Sequence, residues 1–421
     1  MAPLAPAPLQ TRSFVYDRSQ RPGILEKLEH LLRTLQWLGM LCLPIKVQSL
    51  KRTFFFCILA VIYFSLNVYL ITFNLRILVH IVKAKGFINV FTLATAVTGI
   101  KPCVNAVHLA YFIYFSVAHR QLLRQLASVD NNFAKHFNRS PDLRTGNRIF
   151  FIMLTVLSSL PALLAIIEKI VHQEYPFENP LHDLSILLVM FLSAWSAVPV
   201  LYFIVINQTC QFWFKTLHSL MKLDKDLSQR SAKFYYRQYC RLCQLLESVG
   251  DLFNLLVGFT VLWTVFSMCL SIYFFTKTDH FIEAGQTQRT YFSLAYCLLQ
   301  IALAAICMLL VCISGILANE SARSVLHTVL EMNPVSLADK FQIVVFIHKI
   351  EHQHQWGLSV WSMVLLERRV LLTLFSLIFS YALLLWNFKS DESKTVDCPK
   401  VDCLDLCTNL WQNFTTLFQF R

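Results

Sequence analysis

The sequence predicts an all-α, polytopic membrane protein with seven transmembrane helices, and three observations support this. Of its 421 residues, 56% are hydrophobic and only 15% charged, whereas soluble domains run about half apolar and about a quarter charged. The apolar residues gather into seven runs of the length a helix needs to cross about 30 Å of hydrocarbon. The 37 Lys and Arg are shared unevenly between the segments that join those runs. This composition excludes intrinsic disorder, a collagen-like chain and a small disulfide scaffold.

The runs are 53–75, 88–117, 149–171, 185–207, 252–275, 290–313 and 370–388. Lipid offers backbone groups no partner, so runs of this length read as helices, and the period-two alternation of a transmembrane barrel is absent. The last, Val370 to Phe388, spans about 28 Å as a helix, enough to cross. Ahead of the first, Leu25, Leu28, Leu32, Leu35 and Leu38 recur at helical spacing. The apolar stretch Leu35–Ile45 that continues them is too short for an eighth crossing and is expected as an interfacial or packed helix. The first residues, MAPLAPAPLQTRS, have no basic stretch followed by an apolar one, so the first span is expected to serve as the targeting signal.

Lys and Arg counts orient the bundle, because positive charge resists translocation. Segments 1–52, 118–148, 215–251 and 314–369 hold 26 of them; 76–87, 172–184, 276–289 and 389–421 hold nine. The N-terminus is therefore expected in the cytoplasm and the C-terminus outside. That topology is the reverse of a G-protein-coupled receptor, which is one alternative; a secondary transporter is another, and would need paired Gly/Pro-broken helices. Lys101–Pro102 is one such break, without a partner. The basic residues form no dense block, and topology with anionic membrane lipid accounts for them, so nucleic acid is not an expected partner.

Between the spans, 208–251 contains no Pro and only Gly250, and is expected as one helix continuing into the cytosol. Segment 314–369 reads as two helices broken at Asn333–Pro334, the second opened by Ser336 with Asp339 as a capping box and striped by Leu337, Phe341, Val344, Ile347 and Ile350. No linker or repeat divides the chain, so 1–421 is expected as a single domain.

There is no Gly-rich phosphate loop, His-Glu-x-x-His or Gly-x-Ser-x-Gly, and nothing points to catalysis or a cofactor. His348, His352 and His354 with Glu351 read as the polar face of a cytoplasmic helix, and no metal site is expected. Of 13 Cys, only Cys398, Cys403 and Cys407 lie in an outer segment; one pair could bridge, or they could pair between subunits. Sequons occur at Asn138, Asn207, Asn319 and Asn413, and Asn413 alone falls outside, as the glycosylation candidate. Ionisable residues within spans are functional candidates. Lys101, beside Pro102 in the second span, either lines a wet cavity and meets an acidic ligand group or faces a packed polar interface.

The C-terminal region resembles the insect gustatory receptors. Their seventh span carries Thr-Tyr, five apolar residues and Gln-Phe; here the stretch is Ser380, Tyr381, Ala382, Leu383, Leu384, Leu385, Trp386, Asn387 and Phe388. Tyr381 and Phe388 match, and Ser and Asn replace Thr and Gln conservatively. Phe346 and Glu367 sit where the family has a Phe and an acidic residue, and Leu38 to Pro44 is similar to its Leu-Gly-x-x-Pro-like entry to the first span.

The resemblance implies a ligand-gated, non-selective cation channel of four subunits, homomeric or shared with other gustatory receptors, in the plasma membrane of gustatory dendrites. In that family the seventh helices line the pore, and the inner helical extensions join the subunits. It assigns pore and gate roles to Ser380, Tyr381, Asn387 and Phe388. The ligand, a small-molecule tastant, would lie in the outer half of the first six helices, where this sequence places Trp195, Phe266, Tyr273, Tyr291, Tyr296, Gln300 and Lys101. The apolar character of that set leans toward bitter or other apolar tastants over sugars.

Overall fold

The computed structural model describes residues 23–41, 50–85, 90–171, 180–227, 230–276, 287–334, 336–353, 356–361 and 363–392. Cys398, Cys403, Cys407, Asn413 and His354 lie outside them, as do the side chains of Tyr291, Asn387 and Phe388.

Apolar runs without breakers become long helices. In order they are α1 (Ile24–Lys27), α2 (Glu29–Trp37), α3 (Leu50–Lys85), α4 (Val90–Tyr114), α5 (Ser116–Phe137), α6 (Arg144–Val171), α7 (Pro180–Leu223), α8 (Ala232–Thr276), α9 (Thr287–Arg323), α10 (Val325–Leu330) and α11 (Leu337–Glu351). A two-stranded hairpin of β1 (Ser359–Val360) and β2 (Val364–Leu365) then leads into α12 (Arg368–Glu392). Six of the described helices, α3, α6, α7, α8, α9 and α12, are long and apolar enough to cross a membrane. The remaining predicted span coincides with α4, whose 25 residues reach about 37 Å. The all-α bundle read from the sequence is the fold found.

α7 and α8, at 44 and 45 residues, reach about 65 Å each, twice the thickness of the hydrocarbon. Their surplus lengths pair as a hairpin, so 208–251 is two helices and not the one expected. The chain reverses over 224–231, where the Asp224 carboxylate accepts from Arg230 N (3.0 Å) and from the Tyr235 hydroxyl (3.0 Å), and Leu227 takes a left-handed φ of 52°. An Asp that draws the backbone into a turn does what Pro and Gly do elsewhere.

A base forms around this hairpin. α1 and α2 bury Leu28, Leu31, Leu32 and Leu35, so the N-terminal amphipathic segment is packed. Ile24 N donates to Asp130 Oδ2 of α5, and Asn147 Nδ2 of α6 donates to Lys27 O. Gly39 ends α2 with φ 72°, and a Cβ there would stand 2.9 Å from Ala60 Cα of α3. That is why the Leu-Gly pair sits at this entry.

The break at Asn333–Pro334 is present, and Ser336 Oγ accepts from Ala338 N as the N-cap of α11. Asp339 accepts instead from Ala232 N at the start of α8 (3.1 Å), tying two helix starts together. The predicted stripe splits: Ile350 is buried with Ile343 and Phe346, while Leu337, Phe341 and Val344 are 62–82% exposed. Positions drifting around the helix were read as one face; α11 meets α8 through Phe346, which packs on Tyr236 and Tyr239.

Candidate ligand cavity and pore helix

α7 packs against α4, α6, α8 and α9, and a cavity of about 90 Å³ opens where these helices diverge. The polar groups that line it recur along each helix at spacings that keep them on one face. α4 supplies Lys101 and His108, α7 supplies Ser193 and Ser196, α8 supplies Thr260, Thr264 and Ser267, and α9 supplies Gln300 and Cys307. Val97, Ile100, Val104, Leu157 and Trp263 provide apolar wall. Lys101 Nζ donates to Ser193 Oγ (2.7 Å) and Gln300 Oε1 (3.0 Å), bridging three helices. Asn105, one turn further along α4, donates to Leu192 O of α7 (2.9 Å) and fixes the height of Lys101 against that helix.

The structure brings Lys101 and Gln300 together and leaves the other described ligand candidates elsewhere. Trp195 is buried against Tyr63 and Phe191, on a different side of α7. Phe266 is 52% exposed on the outside of α8. Tyr273 and Tyr296 are half-buried and line no part of this cavity. Aromatic type and depth were legible, but which side of a helix faces inward is set by packing. His108 and Ser193, which also line the cavity, are not among the residues expected from the sequence. The available signal was His108 seven residues after Lys101, two polar groups on one face of an apolar helix.

α12 has two unlike faces. Leu371, Leu374 and Ile378, at i, i+3 and i+7, pack toward the bundle, where α8 is the neighbour. Thr373, Ser376 and Ser380 repeat that spacing two positions on, which is about 200° around the helix, and all three are exposed. Tyr381 is half-buried beside α8, near Cys269 and Tyr273.

Asn319 of α9 joins the two regions. Its Nδ2 donates to Leu358 O and Leu366 O, and its Oδ1 accepts from Leu358 N, all within 3.0 Å. It thereby closes the stem of the β-hairpin just before α12. The tip of that hairpin rests on Gly258 of α8, where any Cβ would collide with the Trp361 indole. Arg368, the first residue of α12, forks onto Glu320 (2.6 and 2.9 Å). With Asn319 3% exposed and Asn207 fully buried on Ser314, neither sequon is open to a glycan. Among the described residues no group of three His, Cys, Asp or Glu side chains is placed to hold a metal ion.

The profile of a family described as 7tm Chemosensory receptor matches residues 28–392. A Caenorhabditis elegans protein described as probable G-protein coupled receptor egl-47 is 31% identical over 342 residues, 77% of this chain and 66% of that one. The chain thus spans just under two thirds of that relative. The insect olfactory receptor OR5 from Machilis hrabei superposes with a TM-score of 0.64 at 13% identity, over 86% of this chain and 98% of that one. Its complex with eugenol gives 0.57 at 12% identity, over 86% and 97%. At such identities the likeness is one of fold. Together with the helical bundle, the match over most of its length makes this chain a multi-pass membrane receptor of the seven-transmembrane chemosensory receptor family, and not an enzyme.

Proposed function

We propose that this receptor is a ligand-gated, non-selective cation channel of four subunits, a gustatory receptor opened by small organic tastants of the bitter kind. The observation that carries the reading is the hydroxyl stripe Thr373–Ser376–Ser380, directed away from the chain's own bundle. Thr373 Oγ1 donates to Arg369 O within the helix; around a central axis, four copies of the stripe would give hydrated cations a polar wall. Asn387 extends the wall, and Phe388 and Tyr381 serve at the gate. The exposed Leu337, Phe341 and Val344 of α11 suit contact between subunits below it.

The charge asymmetry supports a cytoplasmic base of α7–α8 and α11, with Asn413 outside as the glycosylation candidate. Lys101 then lies just on the outer side of the midpoint of α4. α9 carries both Gln300 and Asn319, and about 18 Å of helix separates Cys307 from Asn319. A ligand that shifts α9 pulls on the hairpin and on the start of α12, and so on the pore. Among the described residues no Asp or Glu lines the cavity, which suits apolar compounds better than sugars.

The description of the nematode relative as a G-protein coupled receptor favours a second reading, with opposite topology and no pore. Whole-cell current in cells expressing the chain, under complete block of G-protein signalling, separates the two. Agonist-evoked cation current is expected to survive. Loss of every response under that block contradicts the channel.

A further inference from the structure

We propose that the cavity between α4, α6, α7, α8 and α9 selects ligands that carry a carboxylate head on an apolar body. This rests on the reading of that cavity as the ligand site. Among the described residues, Lys101 is the one Lys, Arg, Asp or Glu in its lining, and no carboxylate pairs with it. Its two hydrogen bonds go to neutral oxygens, Ser193 Oγ and Gln300 Oε1. An ammonium has three protons, so one donor remains for an occupant.

Lys101 also fixes its neighbour. Because Gln300 must turn Oε1 to the ammonium, its Nε2 carries two further donors, and it has no partner among the described residues. His108, on the same face of α4, is 2% exposed, and neither ring nitrogen has a partner there. Three buried groups therefore offer hydrogen-bond donors around one space, with an unbalanced positive charge among them. A cation in the hydrocarbon zone without a counter-charge is costly. An anionic head supplies that charge and accepts several hydrogen bonds at once. The rest of the wall, with Val97, Ile100, Val104 and Leu157, suits the apolar body. A neutral amide, an alcohol or a sugar leaves the charge unanswered.

The test uses the full chain in lipid nanodiscs, with hexanoate and benzoate against hexanamide and benzamide at neutral pH. Binding is followed by tryptophan fluorescence and by ligand-induced thermal shift, and current is recorded in parallel. Each acid is expected to bind at least tenfold tighter than its amide. Lys101→Gln is expected to erase that preference, and Lys101→Arg to keep part of it. Gln300→Leu, which leaves charge unchanged, is expected to weaken the acids several-fold. Equal binding of acids and amides, a preference that survives Lys101→Gln in folded protein, or no binding of either acid overturns the proposal. Acid binding of the expected pattern without current supports this site and instead contradicts the channel reading.

Discussion

α7 and α12 are both apolar enough to cross a membrane, yet the chain covers them very differently. Of the most apolar stretch of α7, 67% is buried within the chain; of α12, 6%. α7 is the axis of the bundle, with Trp213, Phe214 and Tyr202 fully enclosed. α12 leans on the bundle through one narrow stripe and turns its hydroxyls outward. The contrast teaches that one helix is covered by the chain's own folding, while the other leaves its surface to lipid or, on the proposed reading, to neighbouring subunits. Stability and gating should therefore respond to different substitutions.

The largest effect is expected at the centre of the bundle. Trp213→Ala empties a fully buried site and is expected to cost about 3–5 kcal/mol, seen as a steep fall in melting temperature in detergent. Phe379→Ala, at a position 65% exposed, is expected to stay within about 0.5 kcal/mol and to act on subunit assembly instead. Equal destabilisation by the two would break the comparison.

Asn319 should come next, because it serves both regions. Asn319→Ala strands Leu358 N and Leu366 O, while Leu358 O keeps Leu366 N, at a cost of about 2–3 kcal/mol. At matched surface expression it is expected to reduce agonist-evoked current more than ligand binding. An unchanged current would show that α9 does not drive α12 through the hairpin.

The smallest effect concerns the turn contacts of the base. The hydrogen bond and charge of Lys225, with His327 adding to them, hold the Glu331 carboxyl below its usual range. A lowered carboxylate contributes stability above its unfolded pKa and loses it as pH falls through the folded one. Glu331→Gln should therefore leave the melting temperature at neutral pH nearly unchanged, since the pair is exposed, and should slightly flatten its fall in acid. A large neutral-pH shift would mean that this contact matters more than its exposure allows.

Much of the bundle was legible because apolar run length is a local property of the chain. Ser336 was legible as a cap for the same reason. The β-hairpin was not: its two-residue strands have no pattern of their own, and Asn319, some 40 residues away, closes them. The reversal at Asp224 carries no Pro or Gly and depends on Tyr235 and Arg230 folding back onto it. In the cavity, Lys101 and Gln300 stood out as polar residues in apolar spans. The aromatic candidates Trp195 and Phe266 did not reach it, because composition does not reveal which side of a helix packing turns inward.

The central claim, that α12 lines a cation pore, is tested most directly by thiol modification from outside the cell. Ser376→Cys and Ser380→Cys lie on the outward stripe, and Ile378→Cys faces the bundle. In agonist-opened channels, a cationic, membrane-impermeant thiol reagent should block current in both serine variants and spare Ile378→Cys and the parent chain. Block at Ile378→Cys with both serine positions untouched would contradict the account.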